Sequence, residues 1–259
     1  MAVHVRSDGG VLTCWLDNPG SRNALTTEML STLIATLEGA RIDDAIRGIV
    51  IRGANSTFCS GRDLRELDVQ DAARPAPEAA IAPVTRLAQA VLGCPVPTVA
   101  AIEGKAVGLG VALASWCDIA VAADAARFFV PEARAGVMPT YTAVSLSRTM
   151  GRRAALALSL TGHAVSAEQA LAFGLVHFVH PSAEFEERVG ELLQNLRKGG
   201  PQALRGCKSL LERAAGRTFD EAIELAAQAS VEAMQSAEAQ EGMRAFREKR
   251  PPAWYGEGH

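Results

Sequence analysis

Short apolar runs alternate along this chain with stretches whose apolar residues recur at helical spacing. Residues 11–16 (VLTCWL), 48–53 (GIVIRG), 99–102 (VAAI) and 119–122 (IAVA) are compact apolar segments, the pattern of buried strands. Between the first two, Met29, Leu30, Leu33, Ile34 and Leu37 fall on one face of a helix reaching about Arg41, with Thr26 or Thr27 placed to cap it, and 18–21 (NPGS) reads as a turn. Strands that alternate with helices predict an α/β arrangement with crossover connections. From about Ala183 the pattern changes to long amphipathic helices over 185–196 and 219–234, with Gly199-Gly200-Pro201 between them. Residues 70–83 carry three prolines among small residues, which argues against a continuous helix and reads as a mobile loop, a lid over a pocket. No internal repeat stands out.

One junction carries chemistry. The strand ending at Ile102 runs into Glu103-Gly104-Lys105-Ala106-Val107-Gly108-Leu109-Gly110 and then into an apolar helical segment that ends at Cys117-Asp118. A strand, a glycine-rich turn and a helix start bring free backbone N–H groups and the positive end of a helix dipole to one point, where an oxyanion is stabilised. A dinucleotide fingerprint would need a third glycine, and Leu113 occupies that position.

Composition narrows the partners. With 259 residues, 48% hydrophobic and 21% charged, the chain can bury a large core, which excludes disorder as its main state. A net charge of -3 and the lack of a sustained basic run argue against nucleic acid or an anionic membrane as the main partner. Five widely spaced cysteines (Cys14, Cys59, Cys94, Cys117, Cys207) suggest neither a disulfide framework nor a zinc site, and fit a reducing cytoplasm. The start MAVHVRSD has no secretory pattern, and the apolar tracts broken by Asp118 and Asp124 fall short of a membrane span. His177 and His180 sit in an alternating, strand-like run that turns them to opposite faces, so no metal site is expected there. Ser60 or Cys59 with His163 lacks the sequence context of a nucleophile and its base.

Five motifs in order carry a family resemblance: Asn18-Pro19 with Arg22-Asn23-Ala24-Leu25; Phe58-Cys59-Ser60-Gly61-Arg62-Asp63-Leu64; the glycine junction through Cys117-Asp118; Phe129-Val130-Pro131-Glu132 with Gly136 and Pro139; and Gly174-Leu175-Val176 with the late Phe246-Arg247-Glu248-Lys249-Arg250. Over nearly its whole length the chain resembles the crotonase superfamily of enoyl-CoA hydratases and isomerases. The resemblance implies a crotonase-like spiral of ββα units with the acyl-CoA site over 1–195, and a C-terminal helical region over 196–259 that builds homotrimers or dimers of trimers. It implies no tightly bound cofactor; coenzyme A enters as part of the thioester substrate, in fatty acid metabolism.

The family holds a thioester enolate oxygen with two backbone N–H groups, matched here by Arg62 and Leu109, beside Gly108. Arg22, Ala24, Asp63, Leu64 and Arg65 match positions along the coenzyme A side. The hydratases of the family place two glutamates on the pocket. Here Glu132 matches one, and Ala112 stands where the other would be. A single base can remove a proton from C2 and return it at C4, so the resemblance favours double-bond isomerisation of an enoyl-CoA. The alternatives are hydration with a substitute for the second glutamate, and a non-catalytic acyl-CoA binding subunit. Thr140-Tyr141-Thr142 replaces glycines common in the family and is expected to shape the acyl pocket or position water. Asp63 and Asp118 are expected to serve turns rather than acid–base chemistry.

Overall fold

The computed structural model describes residues 1–67 and 76–255. In chain order its strands are β1 (Ala2–Asp8), β2 (Val11–Asp17), β3 (Gly48–Gly53), β4 (Thr98–Ile102), β5 (Lys105–Val107), β6 (Ile119–Ala123), β7 (Arg127–Phe129), β8 (Val165–Ser166) and β9 (Phe178–His180). The helices are α1 (Thr27–Arg41), α2 (Pro77–Leu92), α3 (Leu109–Trp116), α4 (Thr140–Thr149), α5 (Gly151–Thr161), α6 (Ala167–Phe173), α7 (Phe185–Lys198), α8 (Pro201–Ala214), α9 (Phe219–Gln235) and α10 (Ala237–Glu248). A large sheet in the order β1-β2-β3-β4-β6-β9 is parallel apart from its antiparallel β1–β2 edge. A smaller sheet joins β5, β7 and β8, and isolated parallel pairings of Cys59 with Ala106 and of Leu25 with Arg62 extend this second layer. Successive large-sheet strands are therefore followed by a short pairing in the second layer and then a helix. This is the spiral of ββα units that the resemblance implied.

The central strands are unbroken apolar runs because both faces of the sheet are covered. Ile49, Ile51, Ala100, Ile102, Ala120 and Ala122 face the main core, together with Leu30, Leu33 and Leu37 of α1. The alternating Val50, Val99, Ala101 and Val121 face α7 through Phe185 and Val189. Thr26 caps α1 by accepting the N–H of Met29. The C-terminal helices are fastened to the core by cations: Arg205 of α8 donates to the carbonyls of Ala40 and Arg41 at the end of α1, and Lys208 pairs with Asp118. The division expected after residue 195 falls inside the last turn of α7, which runs through it.

One expectation is corrected. Residues 76–83 are not a loop; from Pro77 they belong to α2, while residues 70–75 lie outside the described residues. Pro77 takes the first helical position, where a missing N–H costs nothing. Pro83 lies inside the helix, and the burial of Val84, Leu87 and Val91 in the core outweighs its local penalty. The same recurrence of apolar residues, at intervals of three and four, was the available sign of a helix.

The loop between β2 and α1 is held by Asn23, a buried residue in the left-handed region (φ 59°). Its side-chain amide donates to the carbonyls of Ala54 (2.8 Å) and Thr57 (2.6 Å), and its oxygen accepts the N–H of Asn18 (3.0 Å). Asn23→Ala strands one buried and two part-buried backbone groups, and is expected to lower the urea-unfolding free energy by about 2–3 kcal/mol. A loss below about 0.5 kcal/mol would show that these bonds do not hold the loop.

Candidate active site

Two backbone segments meet between the layers. Residues 59–63 run between Leu25 and Ala106: Cys59 donates to Lys105 and its carbonyl accepts from Val107, while Leu25 donates to Gly61 and accepts from Asp63. Beyond β5 the chain turns at Gly108, whose φ of +51° and ψ of −116° suit glycine alone, and α3 begins at Leu109. The close approach continues at Gly110, where a Cβ would stand 2.4 Å from the carbonyl oxygen of Cys59. A Cβ on Gly61 would lie 3.6 Å from the nitrogen of Leu109. Neither the N–H of Arg62 nor that of Leu109 donates to an acceptor among the described residues. Two unspent amide donors thus stand side by side, one of them at a helix N-terminus, an arrangement suited to a developing negative charge on oxygen.

They open onto a cavity of about 630 Å³ with mainly apolar walls. Arg62, Leu64, Gly108, Leu109 and Glu132 all line it, as do residues of α2 and of the start of α4. Glu132 is the one carboxylate among the described lining residues. It begins a single 3-10 turn (Glu132–Ala135), and its Oε1 lies so close to Gly108 that a Cβ there would approach to 2.7 Å. Thr142 of α4, itself buried, donates a long hydrogen bond to the same oxygen at 3.5 Å. Oε2 is shut off from solvent and has no partner among the described residues. Burial pushes the Glu132 carboxyl above the ordinary carboxylate value, and nearby hydrogen bonding, including that of Thr142, offsets this only in part. Ala112 is buried within α3 and is not on the cavity wall.

The other positions named from the sequence sit elsewhere. The Arg62 guanidinium is committed to the carbonyl of Leu25, Glu66 and Thr27, so at this position the backbone faces the cavity chemistry. Asp63 is buried and its carboxyl is held low by the hydrogen-bonded Arg65 side chain, which reaches solvent. Arg22 is exposed, Ala24 is buried, and neither lines the cavity; nor do Asp63 and Arg65. Asp118 accepts the backbone and side chain of Thr98, a structural use. His177 Nδ1 accepts the N–H of Ala120. The Cys59 thiol is fully buried, and burial pushes it up to about 12. Ala80 and Ile81 fall in the stretch 70–83 expected to cover a pocket, and they do line the cavity, though from a helix rather than a loop; Val84, just beyond it, was missed because a small apolar lining residue carries the same signal as core.

The raised Glu132 carboxyl has a consequence for stability. A group that binds its proton more tightly in the folded state destabilises the fold once pH rises through that folded value, and is neutral in effect below the unfolded value of about 4.3. Glu132→Gln is therefore expected to raise the urea midpoint at pH 7 and to leave it unchanged near pH 3. An equal shift at both values would assign the effect to packing instead.

The family model for enoyl-CoA hydratase/isomerase matches residues 6–257. Human "Enoyl-CoA hydratase domain-containing protein 3, mitochondrial" is 30% identical over 245 residues, which cover 95% of this chain and 80% of that protein. The crystal structure of enoyl-CoA hydratase from Mycobacterium smegmatis is similar at a TM-score of 0.90 and 31% identity, covering 98% of this chain and 99% of that one. AtuE of Pseudomonas aeruginosa is similar at a TM-score of 0.91 and 33% identity, with coverages of 98% and 99%.

Proposed function

The chain belongs to the enoyl-CoA hydratase/isomerase family of enzymes, and on that premise we propose that it moves the double bond of an enoyl-CoA from the 3,4 to the 2,3 position. The observation that carries this reading is that Glu132 is the single carboxylate among the described residues of the cavity wall, while the second acid position, Ala112, is buried alanine. Glu132 takes a proton from C2 of the thioester, and the electron pair delocalises onto the carbonyl oxygen as a dienolate. The N–H groups of Arg62 and Leu109 hold that oxygen. The proton then returns from Glu132 to C4, so one group serves as base and acid in turn. A carboxylate whose burial raises its proton affinity suits the role. Coenzyme A is substrate, with Arg22, Ala24 and residues 62–65 along its pantetheine and nucleotide parts, and no tightly bound cofactor is invoked.

The hydratase names of the relatives favour a second reading, addition of water to a 2-enoyl-CoA, in which a hydroxyl of the α4 start would substitute for the missing glutamate. A purified sample offered 3-enoyl-CoA and 2-enoyl-CoA in parallel separates the two. Isomerisation faster than hydration is expected, together with Glu132-dependent deuterium exchange at C2 of a saturated acyl-CoA. Glu132→Gln is expected to slow both by about 10²–10⁴-fold. Rapid hydration with no isomerisation would replace the first reading by the second, and binding without exchange would leave only a binding subunit.

Exposed Leu211, Phe219, Ile223, Val231 and Met234 on α8 and α9 support a homotrimer or dimer of trimers. Sedimentation velocity is expected to give a mass three or six times that of the chain; a monomer at micromolar concentration would contradict it.

A further inference from the structure

The cavity has an unusual clasp. Tyr141, at the start of α4, lines it, and its phenol oxygen lies 2.6 Å from the hydroxyl of Thr85 on α2. That bond joins two helices whose residues form facing parts of the same wall: Thr140, Tyr141 and Thr142 on one side, Ala80, Ile81 and Val84 on the other. Among the described side chains, none of α2 before Val84 is buried. Core burial begins at Val84 and continues through Leu87 and Val91, whereas Ile81 is 49% exposed. Pro83 has no N–H to donate back to the preceding turn, so the helix is weakened where the wall is formed. Behind this stretch lies a second space of about 360 Å³, between Ile34 and Ala35 of α1 and Ala79, Ala82 and Pro83 of α2. The wall therefore has room to retreat and only a light attachment on the cavity side.

We propose that the Thr85–Tyr141 hydroxyl pair is the specificity-determining clasp of the acyl pocket, holding the first turns of α2 against the cavity and so limiting the length of the acyl chain. This rests on the acyl-CoA reading above. A short chain ends within the wall as it stands. A longer one must press Ala80, Ile81 and Val84 towards the space beside α1, and the clasp resists that movement. The hydroxyls act on the substrate through the wall they hold, so either one is sufficient to release it when removed.

The test is binding rather than turnover. Calorimetric affinities for saturated butyryl-, octanoyl- and decanoyl-CoA are measured for the unaltered protein, Thr85→Val, Tyr141→Phe and the double variant. Each single variant is expected to raise the decanoyl-to-butyryl affinity ratio about tenfold, and the double variant to do no more than either one, because both remove the same bond. Unchanged ratios in both single variants would overturn the clasp, and so would additive shifts in the double variant, which would mean that the hydroxyls act separately. Failure of the unaltered protein to bind any acyl-CoA would overturn the substrate reading and the clasp with it, and is distinct from binding with an unmoved ratio.

Discussion

Everything in the site depends on how closely two pieces of backbone can lie. The start of α3 rests directly on residues 59–62, with no side chain between them at Gly110, and the parallel bonding of Cys59 to β5 fixes their relative height. Any Cβ at that crossing meets a carbonyl oxygen rather than a flexible side chain, so the layers would have to separate. The two amide donors owe their shared aim to this contact. The surrounding spiral places short pairings of the second layer after successive strands of the large sheet.

Within that frame the carboxyl of Glu132 works against folding. Glu132 sits under Gly108 with one oxygen lightly held by Thr142 and the other closed off, with no partner among the described residues. A desolvated carboxylate at the edge of an apolar cavity holds raised proton affinity, which fits the proposed role of Glu132 as a base.

Legibility in the sequence followed physical constraint. The strands around Ile49, Ala100 and Val121 were evident because burial on both faces leaves no room for polar residues. The edge strand β1 was not, since HVRSD lies mostly in solvent and shows no alternation. The glycine junction could be recognised because close approach and positive φ allow few other residues, whereas the importance of Glu132 came from the family motif and not from its surroundings. The α2 wall was hidden by its prolines, whose local preference lost to the core contacts of Leu87 and Val91. The contact of Thr142 with Glu132 joins two helical segments across a turn, and no spacing along the chain announces it.

The anchoring of Arg62 has a broader implication. Its guanidinium is spent on Leu25, Thr27 and Glu66, and Leu109 likewise contributes through its main chain. The proposed chemistry at these two positions is written in the peptide backbone, which every amino acid except proline shares. A survey that replaces side chains one at a time would therefore leave both donors in place and register only the supports around them. Substituting a backbone ester for the amide, at either position, is the change that would delete the donor while sparing the fold's side chains. Side-chain variation at residues 62 and 109 would therefore leave the proposed donors in place, at the cost, for Arg62, of the bonds its guanidinium makes.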